Sequence, residues 1–388
     1  MPLSRSRLLL AVLITASAAG LAPAPALASQ APADQPYGNS RLQRRLEELV
    51  HAPGGPPGAV AVLRRGERTE VVRAGVAEVG TGRRPQATDH MRIASVAKAF
   101  SGAVALGLVD QGVLGLDDTI GDRLPALPAA WGAVTLRQLL NHTSGLPDFS
   151  AAPAFREIIL ADPHHRFDSR HLLDFVADQP LNFPPGTAYQ YSNSDNIAVA
   201  LMAEAASGRR YEELLHTLVD QPLGLRETTL PQGFELPEPY LHGYAVQPPA
   251  PPEDVSTLIG ASGVWASGGI VSTPDDLGTF MGAYAGGRLI APAVHAQQLT
   301  FVDGASEPAG PGRNEAGLAI FRYTTRCGTV YGHTGNTPGY TQLAVGTPDG
   351  SRSLTFSITT QVNQSGNPQL LGQLRDVQED FVCSLLQD

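Results

Sequence analysis

Lysine is almost absent from this chain of 388 residues. Of its 27 lysine and arginine residues, only Lys98 is a lysine. Arginine cannot be deprotonated in a protein, whereas a buried lysine can lose its proton and act as a base. A chain that uses arginine for every other positive side chain but keeps one lysine therefore indicates a position at which an amine is required.

Other absences narrow the class of protein. The net charge is −10 and there is no run of basic residues, which argues against nucleic acid and anionic membranes as partners. The sequence Gly-x-Ser-x-Gly does not occur, so the strand-turn-helix nucleophile of the α/β-hydrolases is not expected. The pair His164 and His165 lies in a polar stretch without a matching ligand cluster. We therefore expect no metal and no cofactor.

The N-terminus has the pattern of an export signal. Two early arginines precede the apolar run 8–21, and the small-x-small sequence 26–28 follows. This pattern predicts a signal peptide over residues 1–28, followed by a disordered segment over 29–37. The apolar run is too short for a stable membrane span. We expect a secreted protein in the extracellular or cell-wall space, without a membrane anchor.

Cysteine is nearly as scarce as lysine. The chain has two, Cys327 and Cys383. In an exported protein an even pair of cysteines indicates a disulfide. The alternative is two buried free thiols.

Hydrophobic periodicity predicts an α+β protein with one domain over 38–388. Strands are expected at 59–63, 70–74, near 92, and at 318–323, 329–333, 340–347 and 353–360, and helices at 39–51, 95–111, 197–206, 211–219, 274–284 and 368–386. Residues 38–94 and 270–388 should supply an antiparallel sheet with flanking helices. Residues 95–269 should form a mainly helical lobe, with the active site between the two.

The first chemical motif is the pair Ser95 and Lys98. Residues at i and i+3 lie on one face of a helix, one turn apart. Ser95 stands where a strand gives way to a helix, so its backbone N–H and the helix N-terminus suit a developing oxyanion. The pair indicates a serine nucleophile activated by a lysine. The alternative is a helix-capping serine followed by an exposed lysine.

The second motif is Tyr191 and Asn193, which follow the turn at Pro185 and Gly186. A tyrosine hydroxyl beside a lysine can be held as phenolate or share its proton, and so act as a general acid or base. Asn193 offers a donor and an acceptor to orient Lys98 and a substrate amide. The alternative is a loop with one packed tyrosine and a turn asparagine.

The third motif is the run from His333 to Asn336 in a predicted strand. Gly335 would let a ligand backbone approach the strand closely. The edge N–H and C=O groups could bind an extended peptide as an added strand. The alternative is a sheet edge with an ordinary glycine.

In this order the three motifs resemble those of the serine β-lactamase and penicillin-binding protein superfamily, in its class C-like branch. The chain is most similar to secreted D-Ala-D-Ala carboxypeptidases. The resemblance covers about residues 43–381 and includes 139–146 and 267–273. It implies the β-lactamase/DD-peptidase-like fold, and it implies a disulfide between the two cysteines.

The resemblance also implies an activity, namely a D-Ala-D-Ala carboxypeptidase that works through an acyl-serine and is acylated by β-lactams. The alternatives are a class C-like β-lactamase, an esterase or amidase, and a non-catalytic penicillin-binding module. Partners would be D-Ala-D-Ala-terminated peptides or other small acyl donors and β-lactams. We expect a monomer.

Roles carried over by motif begin with Ser95 as nucleophile. Lys98 and Tyr191 share the proton transfers, Asn193 holds the substrate amide, and the backbone N–H groups of Ser95 and Asn336 form the oxyanion hole.

The remaining roles concern the substrate carboxylate. His333 and Thr334 would lie near it, and Arg322 is a candidate cation for it. The sequence departs from the family pattern at Asn336, where serine or threonine is usual. Recognition of a terminal carboxylate is therefore the least secure part of the resemblance.

Overall fold

The structure is a computed structural model that describes residues 40–387. The predicted signal peptide over 1–28 and the predicted disordered segment over 29–37 lie outside the described residues. Among the helices described, none is both long and apolar enough to cross a membrane.

An antiparallel sheet of eight strands lies between two layers of helices. The described residues contain further short strands outside this sheet, and all strands are numbered here in chain order. They are β1 (Gly58–Arg65), β2 (Arg68–Gly75), β3 (Met91–Arg92), β4 (Tyr244–Ala245), β5 (Glu253–Asp254), β6 (Val271–Ser272), β7 (Val302–Asp303), β8 (Arg313–Ala316), β9 (Phe321–Thr325), β10 (Gly328–Thr337), β11 (Tyr340–Gly346) and β12 (Arg352–Ile358). The eight-stranded sheet has the order β2-β1-β12-β11-β10-β9-β8-β7, while β3 pairs with β6 and β4 with β5.

The sheet separates two hydrophobic cores. In β1, Val60 and Val62 belong to one core, whereas Ala59, Ala61 and Leu63 belong to the other. Successive side chains of a strand point to opposite faces, so a strand that is buried on both faces is apolar throughout. Strand β1 pairs with β12 over its length, so an N-terminal and a C-terminal strand lie side by side, one strand in from the β2 edge of the sheet.

Helices cover both faces of this sheet and fill the second lobe. They are α1 (Ser40–Val50), α2 (Ala97–Asp110), α3 (Ile120–Arg123), α4 (Leu136–Leu140), α5 (Pro153–Ala161), α6 (Asn193–Ser207), α7 (Tyr211–Leu215), α8 (Gln221–Leu223), α9 (Trp265–Gly268), α10 (Pro274–Ala285), α11 (Pro292–Gln298) and α12 (Pro368–Leu386). Helices α1 and α12 contribute to one core, and α2, α6 and α10 to the other.

Helix α2, which carries the catalytic motif, is buried on all sides. Every residue from Ala97 to Leu108 is buried. A helix that is apolar all round belongs in the interior of a protein, and its alanines and glycines let neighbouring helices approach closely. Lys98 is therefore held in a rigid, dry environment.

The predicted fold class is confirmed: the protein is α+β, with an antiparallel sheet and flanking helices. Each of the six long predicted strands is present with shifted ends. Strands β7 and β8 were not predicted, because their exposed and polar residues carry no alternating apolar pattern. They extend the sheet beyond β9.

The predicted disulfide is also present. Cys327 lies in the turn between β9 and β10, and Cys383 lies in α12, with their Cα atoms 5.1 Å apart. The bond therefore fastens the last helix to the hairpin that contains the His333 motif.

Candidate active site

A sharp change of chain direction presents Ser95. Ala94 directly precedes it and has a φ of 49°, which a residue with a Cβ adopts only at a cost of order 1–3 kcal/mol. One turn of 3₁₀-helix follows over Ala94–Val96, and α2 begins at Ala97. Ala94 and Val96 are buried, whereas Ser95 is partly exposed and lines a cavity of about 770 Å³. The strained turn therefore delivers the hydroxyl to the cavity.

Lys98 lies directly behind Ser95 with no exposed surface. Its Nζ lies 3.1 Å from Ser95 Oγ, and it donates hydrogen bonds to Asn193 Oδ1 at 2.7 Å and to the Ser267 carbonyl at 2.8 Å. Burial lowers the pKa of Lys98 from 10.5 to about 7, although the nearby Asp148 carboxylate opposes the shift. At neutral pH a large fraction of Lys98 is an uncharged amine within reach of the serine proton.

The carbonyl that accepts a hydrogen bond from Lys98 belongs to Ser267, in the segment 267–273 that the family resemblance includes. Ser267 lies in α9, and the first residue of that helix, Trp265, has a φ of 35°. This second strained position turns the Ser267 carbonyl toward the amine. This contact could not be predicted from residue types, because the position of a backbone carbonyl depends on chain direction.

Asn193 accepts a hydrogen bond from Lys98, and its amide nitrogen is also bonded to protein groups. Its Nδ2 donates to Asp148 Oδ2 at 3.0 Å and to Ser150 Oγ at 3.1 Å, and its backbone N–H donates to the same Asp148 oxygen at 3.0 Å. Both amide hydrogens thus have protein partners. The predicted donation to a substrate amide does not match this arrangement, and Asp148 is a member of the site that sequence reasoning missed.

Tyr191 completes the group around Ser95. The Lys98 Nζ lies 5.0 Å from the centre of its ring. The hydroxyl oxygen is buried and forms no hydrogen bond of ordinary geometry within residues 40–387. Burial raises the pKa of Tyr191 well above 10, and the adjacent Ser95 hydroxyl opposes that shift. Of the two states considered from sequence, the structure favours the protonated phenol, which can donate a proton.

A second buried pair, His142 and Asp195, lies next to Tyr191. His142 Nδ1 lies 2.7 Å from Asp195 Oδ2, and the Ser144 hydroxyl donates to Asp195 Oδ1 at 2.5 Å. The His142 ring lies 4.5 Å from the Tyr191 ring. Burial lowers the pKa of His142 to about 3 and raises that of Asp195 well above its usual value. Both shifts favour uncharged side chains, which fits a hydrogen-bonded structural role for His142.

The predicted role of His333 is not matched by its position. The side chain has no exposed surface and packs edge-on to Phe321 at 5.0 Å and near Tyr191 at 6.3 Å. Burial lowers its pKa to about 3, and Lys98 adds to the shift. An uncharged ring beneath the site cannot bind a substrate carboxylate by charge.

Gly335 serves a different contact from the one predicted. A Cβ at this position would lie 2.3 Å from the Ile93 carbonyl oxygen. The close approach is thus made by the chain that leads to Ser95 and not by a ligand. This contact brings the next residue, Asn336, to the same cavity as Ser95, as an oxyanion hole built from their backbone N–H groups would require.

The side chains of Thr334 and Arg322 both bind other groups of the protein and not the cavity. The Thr334 hydroxyl donates to the Pro308 carbonyl at 2.7 Å. Arg322 forms two hydrogen bonds with the Glu315 carboxylate, at 2.7 and 2.5 Å, and lies over the Phe301 ring at 4.4 Å. The prediction of Arg322 as a cation for the substrate does not match its position, since its charge is already paired on the outer strands β8 and β9.

The cavity in front of Ser95 is lined by apolar side chains and by neutral amides. Phe155 and Ile159, both on α5, form an apolar wall. Ile259, Val264 and Leu371 add apolar surface, and the amides include Asn336, Gln361, Asn363 and Gln364. Among the described residues that line it, Glu307 alone carries a formal charge. No three His, Cys, Asp or Glu side chains in the described part of the chain are grouped to hold a metal ion.

Comparison with known proteins gives consistent matches. A family model described as Beta-lactamase matches residues 42–378. The D-alanyl-D-alanine-carboxypeptidase/endopeptidase AmpH of Escherichia coli is 28% identical over 290 residues, which are 73% of this chain and 70% of that protein. Penicillin-binding protein 4* of Bacillus subtilis is 27% identical over 304 residues, which are 73% of this chain and 63% of that protein. The match thus spans less than two thirds of the length of this second relative.

A solved structure is similar over nearly its whole length. A D-stereospecific amidohydrolase from Streptomyces sp. superposes with a TM-score of 0.75 at 30% identity, covering 87% of this chain and 98% of the other.

Proposed function

Because the chain belongs to the beta-lactamase family, we propose that it hydrolyses amide bonds of small peptides or amino acid amides through an acyl intermediate on Ser95. The observation that carries the proposal is the 3.1 Å contact between Ser95 Oγ and the buried amine of Lys98. Burial that lowers the pKa of Lys98 to about 7 makes this amine a base at neutral pH.

In the first half of the reaction, uncharged Lys98 accepts the proton of Ser95, and Oγ attacks the substrate carbonyl carbon. The charge that develops on the carbonyl oxygen is held by the backbone N–H groups of Ser95 and Asn336. Protonated Tyr191 gives its proton to the leaving nitrogen as the carbon–nitrogen bond breaks, and it is reprotonated by Lys98. The acyl group is then an ester on Ser95, and Lys98 is again uncharged.

In the second half, water attacks the acyl carbonyl while the proton of the water passes to Lys98. The bond to Ser95 Oγ breaks, Oγ regains a proton from Lys98, and the carboxylic acid product leaves. The same group of residues thus serves both halves, because each half moves one proton to a base and one to a leaving group.

Different observations support two more specific activities, a D-Ala-D-Ala carboxypeptidase and an amidase. The resemblance to AmpH, whose name includes D-alanyl-D-alanine-carboxypeptidase, supports the predicted D-Ala-D-Ala carboxypeptidase. The charge of the cavity supports an amidase, because no positive side chain is among its described lining residues to bind a terminal carboxylate. The similar Streptomyces structure is named an amidohydrolase. We rank amide hydrolysis without a required carboxylate first. The signal pattern over residues 1–28 supports our proposal that the enzyme acts outside the cell.

The test is intact mass of the protein after brief exposure to p-nitrophenyl acetate and, separately, to benzylpenicillin. We expect one adduct per chain with the ester, and none in Ser95→Ala. The control is Ser351→Ala in the exposed turn between β11 and β12, which should keep the adduct. Labelling of Ser95→Ala, or no labelling of the wild-type protein by either reagent, would contradict the proposal. Release of many equivalents of p-nitrophenol per chain, which requires repeated hydrolysis of the adduct, separates an enzyme from a binding module.

A further inference from the structure

One charged side chain faces the cavity that contains Ser95. Glu307 lies in the loop between β7 and β8, is exposed to the cavity, and lines it together with Ser95 and Asn193. It forms no salt bridge with any described residue. Because Glu307 is the one formally charged side chain among the described lining residues, the cavity is electrostatically complementary to a positive ligand.

The loop holds this carboxylate in a fixed place. On one side of Glu307, the Tyr189 hydroxyl donates to the Ala305 carbonyl at 2.6 Å. On the other side, the Thr334 hydroxyl donates to the Pro308 carbonyl at 2.7 Å. These bonds tie the loop to the strand that carries Asn336 and to the segment that carries Tyr191. Glu307 is therefore positioned by the same elements that position the catalytic group.

The surrounding charges reinforce the effect. Asp148 and Glu307 both favour the charged form of Lys98. Burial raises the pKa of the Glu307 carboxyl, Asp148 adds to the increase, and Lys98 opposes it. Once Lys98 is unprotonated, as its role as base requires, the carboxylates of this region have no cation among the catalytic residues. A substrate carboxylate would be repelled here, and a substrate ammonium would be attracted.

We propose that Glu307 binds the protonated α-amino group of the substrate, so that the acyl donors of this enzyme are amino acid amides and peptides with a free amino terminus. This assignment rests on the proposed function, because it names the substrate class of that site. The carbonyl carbon lies at Ser95, the ammonium contacts Glu307, and the substrate side chain packs on the apolar wall that includes Phe155 and Ile159.

The test measures binding in Ser95→Ala protein, so that it is independent of turnover. Calorimetric titration at about pH 7 compares three probes: D-phenylalanine amide, which has a free α-amino group; N-acetyl-D-phenylalanine amide, which has none; and N-acetyl-D-lysine amide, whose only amine is on its side chain. Each is titrated into Ser95→Ala, Ser95→Ala/Glu307→Gln and Ser95→Ala/Glu157→Gln. Glu157 is a matched control, because it is exposed on α5 and is not among the lining residues, and its substitution removes the same charge.

We expect D-phenylalanine amide to bind Ser95→Ala at least tenfold more tightly than its N-acetyl form. Glu307→Gln should weaken that binding about tenfold and change the Kd of the N-acetyl form less than twofold. Glu157→Gln should leave both Kd values within twofold.

Three results would overturn the assignment: equal Kd values for the first two probes, no binding of either, or an equal effect of the two glutamate substitutions. Dependence on Glu307 for the lysine probe alone would overturn the choice of the α-amino group. The ester labelling of Ser95 is measured separately, so failure of the catalytic proposal and failure of this one are distinguishable.

Discussion

Lys98 donates a 2.7 Å hydrogen bond to the side-chain oxygen of Asn193. That oxygen is fixed because the other end of the same amide is held by Asp148 and Ser150. The amine thus has a fixed position even when it is uncharged, and it needs no substrate contact to stay beside Ser95. The site is assembled before a ligand arrives, which is what efficient nucleophilic catalysis requires.

The activity of the wild-type enzyme should rise with pH through about 7. Only uncharged Lys98 can accept the serine proton, and burial lowers its pKa from 10.5 to about 7. The protonated, inactive form therefore dominates below that value and the active form above it. The measurement is kcat/KM for p-nitrophenyl acetate from pH 5 to 9. A profile that falls over this range would contradict the assignment of Lys98 as base.

Lys98→Arg should abolish acylation although it conserves charge. Arginine stays protonated and cannot accept the serine proton, and general-base catalysis contributes about 10²–10⁴ in rate. We expect the rate of ester labelling to fall by at least about 10². Arg166→Lys, at an exposed position, makes the reverse exchange as a control and should keep the wild-type rate. Thermal unfolding of each variant shows whether the fold is retained, and labelling of folded Lys98→Arg at the wild-type rate would mean that Lys98 carries no proton.

Asp148→Asn should move the rising limb of the pH profile to lower pH. The Asp148 carboxylate favours protonated Lys98, so its removal lowers the pKa of Lys98 further. The asparagine oxygen can still accept the hydrogen bonds from Asn193. Its amide group cannot accept those that the other Asp148 oxygen takes from Ser150, so thermal unfolding is measured alongside to show that the fold is retained. Asp303→Asn, at a side chain that is 97% exposed, should leave the limb in place. A shift of the Asp148→Asn profile to higher pH would contradict the inference that the Asp148 carboxylate favours protonated Lys98.

Arg322→Gln should leave substrate recognition unchanged. Arg322 is paired with Glu315 on the outer strands, so we expect the KM for a D-Ala-D-Ala peptide and that for D-phenylalanine amide to stay within twofold. The side chain is 33% exposed, and its loss should lower the free energy of unfolding by about 1 kcal/mol or less. A large rise in KM for the peptide alone would restore the role predicted from sequence.

The disulfide should contribute measurably to stability. Cys327 and Cys383 are 56 residues apart, and closing a loop of this size is worth about 4 kcal/mol in the chain-entropy model. Replacement of both cysteines by serine should lower the midpoint of urea unfolding without changing kcat. Thiol titration of the folded, unreduced protein should find no free thiol. Two reactive thiols, or an unchanged midpoint, would contradict the prediction.

The sequence predicted those parts of the site that depend on residue type. Helix periodicity predicts that Ser95 and Lys98 lie side by side. The acid–base chemistry of a phenol predicts that Tyr191 lies beside them. Asp148 was missed because an acidic residue in a turn has many ordinary explanations. Its role appears only when the N-terminus of α6 is seen to lie against it.

The errors at His333 and Arg322 share one physical cause, which is the face of a strand. His333 and Arg322 were assigned to the substrate from their motif and order in the chain. The side-chain period of a strand is two, so a single step decides between cavity and interior. Gly335 was read correctly as a point of close approach, but sequence alone could not say that the approaching chain is residue Ile93 and not a ligand.

Chemical modification of Lys98, the one lysine of the chain, can report when the interior of the protein becomes accessible. Because the chain has no other lysine and this one is fully buried, amine-directed reagents have no lysine side chain to modify on the folded surface. A neutral amine with a pKa of about 7 is also unusually nucleophilic toward such reagents whenever they can reach it. The rate of Lys98 acylation would therefore report how often the protein interior opens beside Ser95. A bound ligand should lower that rate.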